Sequence, residues 1–216
     1  MNRVPGPADH DQYHLAGDVG ATWNERYLTS GWSTNPDEEL IELVSPLAPA
    51  SALDLGCGTG RNSVWLAQMG WRVTGVDASS VGLEHLRERA GALGIPTPTT
   101  VLADLTTYEA PADAFDLVVI ANIHLAPSER DAFFARARRA LKPGGHLYVI
   151  GHHLDALGLS GPPDPARLYT EDILRSAFSD LTVLRLERLE RRLEDGQRQP
   201  VIDVLLWATK SPAVAR

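Results

Sequence analysis

Three glycines at alternate positions, Gly56, Gly58 and Gly60, follow the apolar run Ala52-Leu53-Asp54-Leu55 and lead into Arg61-Asn62-Ser63-Val64-Trp65-Leu66. Glycine has no Cβ and takes positive φ freely, so a strand that enters such a bend and leaves it as a helix lets a ligand lie against the main chain. The dinucleotide fingerprint G-x-G-x-x-G needs a glycine where this chain has Arg61, and Asp54 stands two residues ahead of the first glycine. A carboxylate there would repel a pyrophosphate and suits a ligand whose near end is cationic. NAD and FAD are therefore disfavoured.

S-adenosylmethionine carries an ammonium and a sulfonium, and its ribose calls for a second acid at the end of the next strand. Val73-Thr74-Gly75-Val76-Asp77 supplies one, 17 residues after Gly60. On these residues the chain resembles the class I S-adenosylmethionine-dependent methyltransferases from about residue 36 to its C-terminus. The run Gly60-Arg61-Asn62-Ser63, with Trp23 and Tyr27 upstream, is most similar to the small tellurite-resistance-type branch. The resemblance implies an N-terminal segment, residues 1–35 with an arm and a lid helix, folding over cofactor and acceptor, and a methyltransferase domain over 36–216.

The periodicity of the chain supplies the elements that must position these residues. Asn35-Pro36-Asp37-Glu38-Glu39 reads as a helix start, with a cap, an early proline and acids where the dipole favours them. Strands are expected at 51–55, 71–77 and 99–103, with helices at 60–69 and 80–93 between them. Phe115-Asp116-Leu117-Val118-Val119-Ile120-Ala121 is a near-continuous apolar run, which marks a central parallel strand buried on both faces. A helix at 127–141, a strand at 146–151, a Pro- and Gly-rich loop at 152–168 and a helix at 170–178 follow. Strands at 181–190 and 200–209 then close as a hairpin through Glu194-Asp195-Gly196-Gln197. The fold class is α/β, a three-layer doubly wound sheet of seven strands in the order 3-2-1-4-5-7-6 with strand seven antiparallel.

In an open sheet of this kind the ligand lies beyond the carboxyl ends of the strands. Position then assigns Asp54, admitted by Gly56, Gly58 and Gly60, to the amino-acid end of the cofactor. Asp77 with Ala78 falls to the ribose, Asp104 and Leu105 to the adenine, and the carbonyl of Ala121 to the ammonium. Arg61 and Asn62 fall where a helix begins and are expected to cap it, meet the cofactor carboxylate or reach an anionic acceptor. Trp23, Tyr27 and Trp32 are expected to line the acceptor or to fill core. Methyl transfer from a sulfonium needs alignment more than a base, and a base only when the acceptor is protonated. His124, past the fourth strand, is the leading candidate for that base, with His152 and His153 past the fifth as the alternatives. No metal site is expected; His10 and His14 stand a helical turn apart without a third ligand.

Composition narrows the partners. A net charge of −8 would repel a nucleic-acid backbone, and the chain has no apolar run of membrane-spanning length. The lone Cys57 suits a reducing compartment, so a cytoplasmic protein, monomer or homodimer, is expected. Past the fourth strand the chain reads Asn122-Ile123-His124-Leu125, without the Pro-Pro-aromatic common in enzymes that methylate macromolecular nitrogen. The expected activity is methyl transfer to a small molecule, a thiol or chalcogen ahead of oxygen or nitrogen. The alternatives are a protein that binds S-adenosylmethionine or adenosylhomocysteine without chemistry, and a nucleotide-cofactor oxidoreductase.

Overall fold

The computed structural model describes residues 18–191 and 200–212. His10, His14 and the turn at 194–197 lie outside them. Seven strands, β1 (Ser51–Leu55), β2 (Arg72–Asp77), β3 (Thr99–Leu102), β4 (Phe115–Ala121), β5 (Leu141–His152), β6 (Thr182–Arg191) and β7 (Val201–Thr209), form one sheet in the order β3-β2-β1-β4-β5-β7-β6. The first five are parallel, and β7 runs antiparallel to both β5 and β6. The strand order is the one expected from the sequence.

Among the described residues, six helices surround the sheet: α1 (Val19–Thr29), α2 (Glu38–Val44), α3 (Arg61–Gln68), α4 (Ser80–Ala92), α5 (Pro127–Ala140) and α6 (Glu171–Ala177). Successive β4 residues serve opposite layers. Leu117 and Val119 meet Leu40 and Val44 of α2 and Leu66 of α3, while Val118 and Ile120 meet Phe133 and Phe134 of α5 and Leu174 of α6. Each such side chain contributes about 1.5–3 kcal/mol when buried, so a one-residue slip of β4 would exchange both layers at once. Register is fixed by that penalty, and with it the height at which each strand delivers its last residue.

Two boundaries differ from expectation. β5 begins at Leu141, directly on the end of α5, because Lys142-Pro143-Gly144-Gly145 is absorbed as a bulge between the Phe115–Leu141 and Leu117–His146 pairs. The 152–168 loop contains two 3-10 turns, Leu154–Ala156 and Pro165–Arg167, each capped by the residue before it.

Candidate active site

The glycine bend is built so that a side chain at any of the three positions would collide. Gly56, Gly58 and Gly60 have φ of +79°, +52° and +82°. A Cβ on Gly58 would stand 2.5 Å from the Tyr27 hydroxyl, one on Gly60 2.5 Å from Leu86 Cγ, and one on Gly56 against the Ile123 side chain. Gly58 N–H donates to Asp77 Oδ2 and Ser79 N–H to Asp77 Oδ1, both at 2.8 Å. Asp54 accepts from the Ser63 hydroxyl at 2.6 Å. Both carboxylates are buried, and burial raises both: Asp77 lies above the usual carboxylate range and Asp54 is pushed up to about 6. Two enclosed acids short of countercharge flank a cradle with no room for a side chain. That environment favours a positively charged guest.

Arg61 and Asn62 turn away from the bend, towards α2. Arg61 grips Asp37 through both carboxylate oxygens at 2.9 Å, and Asn62 donates to Asp37 at 3.1 Å while accepting the Asp37 N–H at 3.0 Å. Asp37 is 2% exposed, so this clasp fastens the N-terminus of α2 to the N-terminus of α3. Asp104 closes a local turn, accepting from the Thr106 N–H and hydroxyl, both at 2.8 Å. Leu105 reaches back to within 3.4 Å of the Gly56 Cβ position. At the end of β4, Asn122 takes a positive φ of 58°, a conformation asparagine tolerates, and this follows Ala121 and brings Ile123 onto Gly56.

The three histidines separate by their hydrogen bonds. His124 has both ring nitrogens engaged: Nδ1–H donates to the Arg167 carbonyl at 3.0 Å, and Nε2 accepts the His152 backbone N–H at 3.2 Å. Burial, with His152 beside it, lowers it to about 3. A ring so placed has no free lone pair to offer an acceptor, unlike the role expected of it from the sequence. His153 is likewise spent, with Nδ1 accepting the Asp155 N–H and Nε2–H donating to Glu171, both at 3.0 Å. His152 differs. Its Nδ1–H faces Asp203 Oδ1 at 3.0 Å, its side chain is 20% exposed, and Nε2 has no hydrogen-bond partner among the described residues. Asp203 is fully buried and also receives Arg191, whose other terminal nitrogen meets Glu39 at 3.1 Å.

Trp23, Tyr27 and Trp32 come together, with ring centroids 5.1–6.1 Å apart. Asn24 fastens α1 to the start of α4, its side-chain oxygen accepting the Ser79 hydroxyl at 2.7 Å and the Val81 N–H at 3.1 Å. Tyr27 then reaches the bend, and burial beside Asp77 raises its phenol. Tyr27 and Trp32, with Thr59, His85 and Arg89, also line a cleft of about 290 Å³ against α4.

A methyltransferase-domain family model matches residues 52–145, the stretch from β1 through the β5 bulge. Together with the strand order β3-β2-β1-β4-β5-β7-β6, this match marks an S-adenosylmethionine-dependent methyltransferase domain. Among curated relatives of this methyltransferase, thiopurine S-methyltransferase of Aliivibrio salmonicida is 28% identical, covering 73% of this chain and 79% of its own. Ubiquinone biosynthesis O-methyltransferase of Brucella ovis is 33% identical over 67% of this chain and 64% of its own. The solved structure of TehB from Haemophilus influenzae superposes with a TM-score of 0.67 at 20% identity, covering 89% of this chain and 67% of that one. The methyltransferase uses S-adenosylmethionine, and the cradle beside Asp54 and Asp77 fits that cofactor's cationic end. No helix among the described residues is long and apolar enough to cross a membrane.

Sequence reasoning passed over Asp203 and Asn24, and met Asp37 only in a helix start and Ser63 only in the run after Gly60. Asp203 left one signal, a lone acid inside the apolar run Val201-Ile202-Asp203-Val204-Leu205-Leu206-Trp207.

Proposed function

We propose that this methyltransferase acts on a small molecule whose reacting hydroxyl or thiol must lose a proton, with His152 as the general base and Asp203 as its orienting acid. The cofactor, when bound, supplies a methyl group on a sulfonium for in-line displacement. Asp54 and the backbone of the bend receive its amino-acid end, with the Ala121 carbonyl taking the ammonium. Asp77 and Ala78 take the ribose, and Asp104 and Leu105 the adenine. His152 Nε2 takes the proton from the acceptor, and the imidazolium that forms is held by the buried Asp203 carboxylate. Trp23, Tyr27 and Trp32 exclude water from the cofactor side as a lid.

One observation carries the reading: the 3.0 Å His152–Asp203 pair, whose outer nitrogen is the one imidazole edge left unspent among His124, His152 and His153. A chalcogen oxyanion needs no base, so the pair moves the expected preference towards thiols and hydroxyls. The test is a panel of thiols, phenols, amines and chalcogen oxyanions, followed by mass spectrometry for methylated product and adenosylhomocysteine. Turnover of a phenol or thiol that falls about 100-fold in His152→Ala supports the reading. Methylation of oxyanions alone would overturn it, and tight adenosylhomocysteine binding with no turnover of any acceptor would make the protein a sensor.

A further inference from the structure

We propose that His124 is a positioning residue: it sets the plane of the His152 imidazole by stacking on it and by holding its backbone N–H. The inference rests on the reading of His152 as the base.

The chemistry of its partners fixes the His124 tautomer. The Arg167 carbonyl can only accept, so Nδ1 carries the hydrogen; the His152 N–H can only donate, so Nε2 offers a lone pair. A second proton would set two N–H groups against each other. The ring is also gripped from outside, because the Arg167 guanidinium returns a hydrogen bond to the His124 carbonyl at 3.1 Å. The two imidazoles lie parallel within 5°, with centroids 5.2 Å apart, and the Tyr169 ring stands 5.0 Å from His124. Tyr169 is fully buried and donates through its hydroxyl to the Ile123 carbonyl. His124 therefore stands as a pillar between a fixed aromatic ring and His152. It rises over Gly151, where a Cβ would come within 3.1 Å of His124 Cε1 and 2.8 Å of Tyr169.

The pillar supplies what Asp203 alone cannot. Gly161 also crowds the His152 ring, where a Cβ would come within 2.4 Å of Cδ2, but a hydrogen bond at Nδ1 and a backbone contact do not set the plane of the ring; the parallel His124 imidazole does. The charged groups around the pair are few. Asp203 faces His152 from β7 with Arg191 behind it, and Arg167 flanks His124 from the loop. A proton arriving on His152 thus meets one carboxylate and one neutral ring, and His124 stays neutral throughout because it has no site to receive it.

The test compares His124→Gln, His124→Asn and His124→Ala in the full chain. Gln places an amide oxygen where Nε2 was and can still accept the His152 N–H, whereas Asn restores only the donor to Arg167. With an acceptor from the panel, kcat is expected to fall about 10- to 100-fold in the Ala and Asn variants and about fivefold in Gln. Adenosylhomocysteine affinity should stay within about threefold of wild type in all three, which places the loss in turnover. Nitrogen-15 NMR of the histidines should show wild-type His124 as a neutral Nδ1–H ring from about pH 5 to 9 and displaced His152 ring signals in the Ala variant. Unchanged kcat in Ala, titration of His124 in that range, or equal losses in all three variants with unmoved His152 ring signals would each overturn the proposal. If His152→Ala keeps full turnover, the base reading fails by itself, and the resonance measurement still reports whether His124 holds the His152 ring.

Discussion

The Arg61 guanidinium meets the Asp37 carboxylate in a two-pronged clasp, each prong 2.9 Å, and this joins the first turn of α2 to the first turn of α3. Arg61 is the first residue of the helix that leaves the bend, so the clasp fixes that helix against α2. Replacing Arg61 by Met would leave Asp37, 2% exposed, with Asn62 alone for company. Because Arg61 is itself 27% exposed and partly screened, the expected loss is about 2–3 kcal/mol, below the range for a fully enclosed pair. Urea unfolding of Arg61→Met checks this. A change under about 0.5 kcal/mol would mean that the clasp does not hold the helices together.

Asp203→Asn keeps the shape of the pair but removes the charge that stabilises a protonated His152. Turnover should fall about 100-fold, with adenosylhomocysteine affinity within about threefold. Steady-state kinetics beside calorimetry separates the two, and equal losses in both would place Asp203 in the scaffold alone.

Gly58→Ala should weaken cofactor binding at least about tenfold, from a positive φ of 52° and a new Cβ 2.5 Å from the Tyr27 oxygen. Adding Tyr27→Phe removes that oxygen and should recover part of the loss, leaving the backbone strain. Calorimetric titration of wild type, both single variants and the double variant measures the coupling. Strict additivity would show that Tyr27 does not press on the bend.

Asp54 gives a pH signature in the cofactor-free protein. Its folded carboxyl is pushed up to about 6 by burial, while an unfolded aspartate titrates near 3.9. The native state therefore holds the proton more tightly. Stability from this group is present below about pH 4, is lost as pH rises through the window to about 6, and stays lost above it. Asp54→Asn should accordingly raise stability by up to about 3 kcal/mol at pH 8, a gain that shrinks towards zero below pH 4, while weakening cofactor binding. Thermal unfolding of both proteins from pH 4 to 8 checks the sign; a variant destabilised at pH 8 would refute it.

The strand order and the crowded glycine bend were legible because both rest on local signals: alternate glycines, an apolar run buried on two faces, an acid ending a strand. The histidine proposed as the base was legible only as one of three candidates. What distinguishes them is pairing across the sheet, and His152 meets Asp203 through the antiparallel β5–β7 register, which no short-range pattern encodes. Arg61 and Asn62 were placed correctly at a helix start, yet their partner Asp37 read only as part of a helix cap. Asp104 shows the reverse case, since its local turn onto Thr106 competes with the ligand role its position suggests.

The antiparallel return of β7 also orders events in time. Cradle residues from Asp54 to Ala121 leave the ribosome well before the acid that partners His152, and that acid takes its place when β7 pairs with β5. On the proposed mechanism, the carboxylate that orients the base is thus the last piece of the site to be synthesised.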